Sequence, residues 1–199
     1  GIRIPVEFDG LGLGHLELCV IAEELGRFLA PVPFSSSVYL FTEAIIKYGS
    51  EEIKKDLLPK LVSGDVIGTL AVTEDLFAPS KDNIKLSCES GKINGKKIAV
   101  PDASIATHAL VVAKSDKGIC LQVADLSHEG VSIEHQENID ESRGHFSITF
   151  DGVDTQAIGD EISGWDIYES IINQAAVLFA YEQIGGSQAS LDMAVNYAK

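Results

Sequence analysis

Apolar residues recur every three or four positions in the first third of the chain, which is the spacing of an amphipathic helix. Residues 1–14 carry a proline and alternating glycines and read as an irregular lead-in. The helical pattern starts at His15, and the prolines at positions 31 and 33 stop it. We therefore predict a first helix that begins at His15 and ends before Pro31.

Two further helices are expected before the pattern changes. The serines at 35–37 would cap a helix that ends at Gly49. Ser50 would open another helix, which ends at Gly64 and which Pro59 would kink or break.

Beyond residue 65 the period falls to two, which is the spacing of half-buried strands. The asparagine and glycine at 94–95 indicate a tight hairpin turn. About seven short strands are expected, which favours a closed or sandwiched antiparallel sheet. The strand segments are Ile67–Thr73, Ile84–Glu89, Lys92–Ile93 turning into Lys97–Val100, His108–Lys114, Ile119–Asp125, Val131–Gln136 and His145–Phe150.

From Gly164 the helical spacing returns for more than thirty residues. Gly185 and Gly186 lie in its middle, so either the helix breaks there or another backbone packs close against it. The predicted fold class is α+β: helices, an antiparallel β-barrel or sandwich, then a long helix. The expected domains are a helical part at 1–65, a barrel at 66–160 and the first helix of a further helical domain at 161–199.

Composition restricts the partners. The net charge of -15 opposes binding to nucleic acid or to an anionic membrane surface. A hydrophobic content of 45% in so acidic a chain indicates apolar surface that missing segments or another subunit cover, so we expect an oligomer, a dimer or a tetramer. Three widely spaced cysteines without a CxxC pattern indicate a reducing compartment, which we take as the cytoplasm. The chain starts at Gly1 and reads as a piece of a larger protein, truncated at both ends.

No catalytic constellation is visible in the residues alone. The five histidines are scattered, so no metal site is predicted. The glycines at 10–14 have the wrong spacing for a dinucleotide-binding turn, and no strand precedes them. One stretch is typical of a ligand contact: a short apolar strand that ends at Val72 and Thr73 and runs into two acidic residues.

Several motifs in order resemble those of the acyl-CoA dehydrogenase family and cover almost the whole chain. They are PVEFDGLGL at 5–13, AEELG at 22–26, LLPKLVSG at 57–64, LAVTE at 70–74 and EQIGGSQASLDMAVNYA at 182–198. The resemblance implies an N-terminal helical domain, a middle barrel and a C-terminal helical domain, of which this chain would hold only part.

The resemblance also implies chemistry. In that family a carboxylate base removes the acyl α-proton, and FAD accepts the β-hydride. Val72 and Thr73 would contact the flavin, and an acyl-CoA and an electron-transfer flavoprotein would be the partners. The family base lies beyond residue 199, or on the long helix near Ala175 and Ala176, where no carboxylate stands. No catalytic residue is therefore assigned within the chain.

The chain departs from the family pattern at two places. The family's TEPGxGSD becomes TEDLFAPS at 73–80, which puts Pro79 at the acyl-CoA-binding serine. Its WIT, which packs on the flavin, becomes Ala99, Val100 and Pro101. Losing the aromatic ring removes about 0.5–1.5 kcal/mol, and Pro101 also removes a backbone donor.

Three interpretations follow. The first is part of an FAD-dependent acyl-CoA dehydrogenase of a divergent bacterial type that degrades lipids or steroids. The second is a non-catalytic structural subunit of a hetero-oligomeric dehydrogenase with a degenerate flavin site. The third is a fragment that folds and binds nothing. In each of them, residues 1–199 by themselves are predicted to be inactive.

Overall fold

The computed structural model describes residues 1–140, 142–160 and 162–199. Helices occupy both ends of the chain, and strands occupy the middle. A 3₁₀ turn at Val6–Phe8 is followed by α1 (His15–Arg27), a π-helical segment (Ser35–Thr42) continuous with α2 (Glu43–Tyr48), and α3 (Glu51–Ser63). The strands are β1 (Gly68–Ala71), β2 (Ser87–Glu89), β3 (Lys92–Pro101), β4 (His108–Lys114), β5 (Ile119–Asp125), β6 (Val131–Gln136) and β7 (His145–Ile158), and α4 (Gly164–Ala198) ends the chain.

The strand pairings return to their starting point. β4 pairs with β5, β5 with β7, β7 with β3, β3 with β2, and β2 meets β4 again through Ser87 and Lys114. β1 adds to β4, and β6 adds to β7. The predicted fold class is confirmed, with one difference: the sheet is mixed, because β1 and β2 both run parallel to β4.

Alternate residues of β4 face two different cores, which the sheet separates. Ala109, Val111 and Ala113 belong to a core made by strand residues and their connections. Leu110 and Val112 belong to a second core, to which the helices contribute. The strand is buried on both faces, so it reads as a continuous apolar run.

The second helix begins earlier than predicted. Ser35, Ser36 and Ser37 lie inside the π-helical segment, and no side chain caps its start. Ser36 instead donates a hydrogen bond to the carboxylate of Asp102, which is 66 residues away in sequence, and the Ser37 hydroxyl accepts one from the amide of Gly68. These serines are used for tertiary contacts, so the predicted capping role is wrong.

Two other local predictions also differ. Asn94 and Gly95 do not form a turn, because β3 continues through them opposite a register shift in β7. The Asn94 side chain accepts a hydrogen bond from the amide of Gly152 at that shift. Likewise α3 does not break at Pro59, and Ser50 caps it as predicted by accepting from the amide of Ile53.

The long helix α4 is unbroken at its glycines because α1 packs against it there. A Cβ atom at Gly185 would lie 1.8 Å from the carbonyl oxygen of Glu23, and one at Gly26 would lie 1.9 Å from that of Glu182. The predicted domain boundary falls at Glu161, which lies outside the described residues. Within the described part of the chain, no helix has the length and apolar character needed to cross a membrane.

Candidate functional site

The end of β1 is tied to β3 by two hydrogen bonds. The amide of Ile98 donates to the carbonyl oxygen of Thr73 at 2.8 Å, and the Lys97 ammonium donates to that of Val72 at 2.9 Å. These contacts bring the predicted flavin-binding segments, Val72 with Thr73 and residues 99–101, next to each other. They are 26 residues or more apart in sequence, and only the sheet joins them.

A buried ion pair holds the chain as it leaves Thr73. Lys97 Nζ lies 2.7 Å from Glu74 Oε1, and the exposed fractions of the two side chains are 0% and 9%. Glu74 also accepts hydrogen bonds from the amides of Lys85 and Leu86. Burial lowers the pKa of Lys97 to about 8, although the neighbouring Glu74 carboxylate favours its charged form. The pair fixes the direction in which Thr73 is presented.

Thr73 offers hydrogen-bond donors that the described residues leave unused. Neither its amide nor its hydroxyl has a hydrogen-bond partner in the described part of the chain, and the residue is half-buried. A half-buried donor costs free energy unless water or a ligand satisfies it. The end of β1 therefore fits the polar edge of a flat heterocycle, and the flavin of FAD is such a group.

Residues 99–101 of β3 offer a flavin fewer contacts than the end of β1 does. Ala99 is exposed and has a left-handed backbone with φ of 51°, and its amide already donates to Gln136 Oε1 at 2.7 Å. Pro101 has no amide hydrogen, and its carbonyl oxygen accepts a hydrogen bond from Thr69. The residues present therefore fit a flavin through β1, whereas β3 supplies neither a free amide nor an aromatic ring.

Pro79 is half-buried in the loop between β1 and β2. The hydrogen bonds of its neighbours are local: Asn83 accepts from the amide of Ser80 and donates to the carbonyl oxygen of Ala78. Leu76 and Phe77 earlier in the loop are exposed. None of these hydrogen bonds connects Pro79 to Thr73 or Ala99, so its predicted role at the substrate stays a prediction.

No carboxylate stands at Ala175 or Ala176 on α4. The residue before them, Gln174, donates a hydrogen bond to the carboxylate of Glu43, which also accepts one from Arg3. Because Arg3 neutralises its charge at 2.8 Å, Glu43 serves as the centre of an ion-pair network between the helices.

A cavity of about 770 Å³ lies between the end of α1, the start of the π-helical segment, α4 and the residues before β7. Arg143 and Glu182 are charged residues in its lining. Arg143 donates to the hydroxyl of Ser35 and to the carboxylate of Asp102. The sequence interpretation missed Arg143 and Glu182, because a single charged residue in a loop or on a helix gives no signal when its partners are 41 and 108 residues away.

Comparisons with known proteins agree with this architecture. Residues 1–65 match the family described as acyl-CoA dehydrogenase, N-terminal domain. Mitochondrial isovaleryl-CoA dehydrogenase of Oryza sativa subsp. japonica is 28% identical over 217 residues, which cover 100% of this chain and 53% of that protein. The chain thus spans about half the length of the curated relatives it matches.

The fold of this chain is also similar to those of solved structures. The structure of a steroid ACAD variant, Tcur3481-Tcur3483, is 29% identical with a TM-score of 0.83, and the match covers 99% of this chain and 53% of that one. An acyl-CoA dehydrogenase complexed with FAD, from Bacillus anthracis, is 21% identical with a TM-score of 0.92. That match covers 100% of this chain and 36% of the other chain. At that identity the second likeness shows the fold alone. The chain is thus similar along its whole length to acyl-CoA dehydrogenases, in sequence and in fold, and its first 65 residues match that family's N-terminal domain.

Proposed function

We propose that this chain is part of an FAD-dependent acyl-CoA dehydrogenase that introduces an α,β double bond into an acyl-CoA thioester. The observation that carries the proposal is the end of β1, where the amide and hydroxyl of Thr73 have no partner among the described residues. The match of residues 1–65 to the family's N-terminal domain and the FAD named with the Bacillus anthracis structure support the choice of cofactor.

In this proposal the chain's own residues hold and orient the cofactor. Thr73 donates hydrogen bonds to the polar edge of the flavin, and Val72 packs beside it at the end of β1. The pair of Lys97 and Glu74 keeps that strand end in place. FAD, when bound, supplies the capacity to accept a hydride from the acyl group. Donors fixed in advance stabilise negative charge on a reduced ring without reorganisation.

In this proposal the middle of α4 cannot supply the catalytic base. Ala175 is buried and Ala176 is exposed, and neither can take a proton. A carboxylate elsewhere in the complete protein therefore has to remove the α-proton. For this reason we expect no dehydrogenase turnover from residues 1–199 supplied with FAD, measured by the reduction of an artificial electron acceptor. Measurable turnover would overturn that expectation.

A second candidate is a structural subunit that completes the site of a catalytic partner. Two observations on β3 favour it. The amide of Ala99 is used by Gln136, and Pro101 has no amide to donate. A flavin would then have donors on one side only, and an added subunit would have to provide the others.

One experiment separates the two candidates. The complete protein is purified alone, and its visible spectrum is recorded before and after adding an acyl-CoA. A yellow protein that the acyl-CoA bleaches supports the enzyme and contradicts the structural subunit. A colourless protein that gains flavin only when a related chain is co-expressed supports the structural subunit.

The assembly is also part of the proposal. We expect a dimer or tetramer, homomeric or heteromeric, in the cytoplasm, with an electron-transfer flavoprotein as the electron acceptor. Exposed apolar side chains on α1 and α4 support a covering subunit or segment, Leu16 and Val20 on the first helix and Val177 and Leu191 on the second. Light scattering of the complete protein measures the assembly directly.

A further inference from the structure

Lys97 places a positive charge against the backbone where β1 ends. The exposed fraction of its side chain is 0%. Its Nζ donates one hydrogen bond to the carbonyl oxygen of Val72, at 2.9 Å, and one to Glu74 Oε1, at 2.7 Å. Burial lowers the pKa of Lys97 to about 8, so the ammonium is still mostly charged at pH 7. The carbonyl of Val72 is therefore in direct contact with a cation that water does not screen.

The carbonyl of Val72 and the amide of Thr73 are the two ends of one peptide group. The peptide bond is trans, so its C=O and N–H point in opposite directions, and resonance couples the oxygen to the nitrogen. A cation that binds the oxygen draws electron density towards it, which makes the N–H on the other side a stronger donor. Lys97 thus polarises the Thr73 amide, which has no partner among the described residues.

Glu74 opposes this effect only in part, because three donors share its charge. Its Oε1 accepts from Lys97 and from the amide of Leu86, and its Oε2 accepts from the amide of Lys85. Lys97, by contrast, gives one of its hydrogen bonds to a neutral oxygen of the peptide group itself. The charge that acts most strongly on the amide of Thr73 is therefore that of the ammonium.

A polarised amide favours one redox form of a flavin over the other. A hydride carries two electrons and one proton, so the ring that accepts it gains one negative charge. Donors fixed in advance stabilise such a charge more than they stabilise the neutral oxidised ring. A stronger donor at the polar edge of the ring thus stabilises the reduced form selectively.

We propose that Lys97 is a positioning residue that raises the reduction potential of the bound flavin through the peptide group of Val72 and Thr73. The inference rests on the proposed function, because the flavin is taken from it. It goes further by giving a buried lysine an electrostatic role that is exerted through the amide of another residue, in addition to holding the strand end in place.

The test uses the complete protein with FAD and any co-purifying subunit, at pH 7. The flavin is reduced gradually beside a reference dye of known potential, and the two absorbances give the equilibrium constant for reduction of the bound flavin. Relative to free FAD, this constant reports the ratio of the affinities for reduced and oxidised FAD. A variant that only loosens the site, and so weakens both forms equally, leaves the constant unchanged.

Lys97→Met should lower this equilibrium constant about tenfold, which corresponds to about 1.4 kcal/mol. Lys96→Met is the matched control and should leave the constant unchanged. Lys96 is the preceding residue on β3, but its side chain is exposed and its Nζ pairs with Glu134 Oε2 at 3.4 Å.

A second variant keeps the test decisive if Lys97→Met does not fold, since that change leaves the Glu74 carboxylate without its cation. Lys97→Met combined with Glu74→Gln removes both charges and keeps an oxygen for the backbone donors. Its constant should lie between those of Lys97→Met and the wild type. If either variant bound FAD with the wild-type constant, the role of Lys97 would be refuted and the dehydrogenase would stand. A wild-type protein that binds no FAD would overturn both proposals.

Discussion

Gly185 and Gly186 are adjacent on α4, but only Gly185 faces the backbone of α1. A Cβ atom at Gly185 would meet the carbonyl oxygen of Glu23 at 1.8 Å and the amide nitrogen of Arg27 at 2.8 Å. A Cβ atom at Gly186 would have the carbonyl oxygen of Gly26 as its nearest neighbour, at 3.5 Å. The first distance is far below van der Waals contact, and the second is an ordinary contact.

The two alanine substitutions should therefore have opposite signs. Helix propensity alone should raise the free energy of unfolding of either variant by up to about 1 kcal/mol, because alanine favours a helix more than glycine does. In Gly185→Ala the clash is with backbone atoms, which cannot rotate away, so the two helices must separate. Overpacking of this kind costs about 1–3 kcal/mol or more and should exceed the gain. Gly186→Ala meets no such clash and should be neutral or stabilising.

Urea unfolding followed by far-ultraviolet circular dichroism measures both free energies of unfolding. The expected result is a lower unfolding midpoint for Gly185→Ala and an unchanged or higher one for Gly186→Ala, with equal slopes. If both variants were stabilised equally, the close approach of α1 and α4 at Gly185 would be refuted. Gly26→Ala is an independent check from the other helix, since its Cβ would lie 1.9 Å from the carbonyl oxygen of Glu182.

Three further predictions concern β1, β3 and α3. The pKa of Lys97 is about 8 in the fold against 10.5 unfolded, so the unfolded chain binds more protons between these values, and stability rises with pH there. In urea unfolding, the free energy of unfolding of the wild type minus that of Lys97→Met should rise by on the order of 2 kcal/mol between about pH 8 and pH 10. If this difference did not change with pH, the prediction would be contradicted. Thr73→Val should weaken FAD retention by the complete protein about three- to tenfold by flavin fluorescence, while Thr107→Val, whose hydroxyl caps the amide of Ile67, should retain it. Ser50→Ala should lower the free energy of unfolding by about 1 kcal/mol through the lost cap, and no change in the thermal midpoint would disprove that role.

Where a pattern is local, the sequence predicted the structure well. β4, β5 and β6 have the predicted ends because each is a short run of strand-forming residues bounded by turn residues, and such a run is defined by neighbours in sequence. α1 starts at the predicted His15, and α4 at the predicted Gly164. The misplaced features depend on distant partners. A serine run favours a helix cap by local rules, but Ser36 has a better partner in Asp102.

The candidate site could be read from the sequence only in part for the same reason. Val72 and Thr73 were singled out through the family motif at the strand end, and their contact with a flavin stays a prediction. Lys97 was not singled out, because a lysine in a strand normally points to solvent, and its burial depends on Glu74 from another segment. The roles of Ala99, Pro101 and Pro79 likewise stay predictions, as does the division into three domains.

The sequence by itself determined the order of helices and strands, the acidic surface and the family motifs, because these depend on residue spacing and composition. Tertiary structure alone decided which free donors share a site. It closed the sheet so that Thr73 lies beside β3, and it placed Arg143 and Glu182 in the lining of one cavity. The physical reason is that desolvation and pairing depend on neighbours in space, and for these residues the neighbours are far away in the chain.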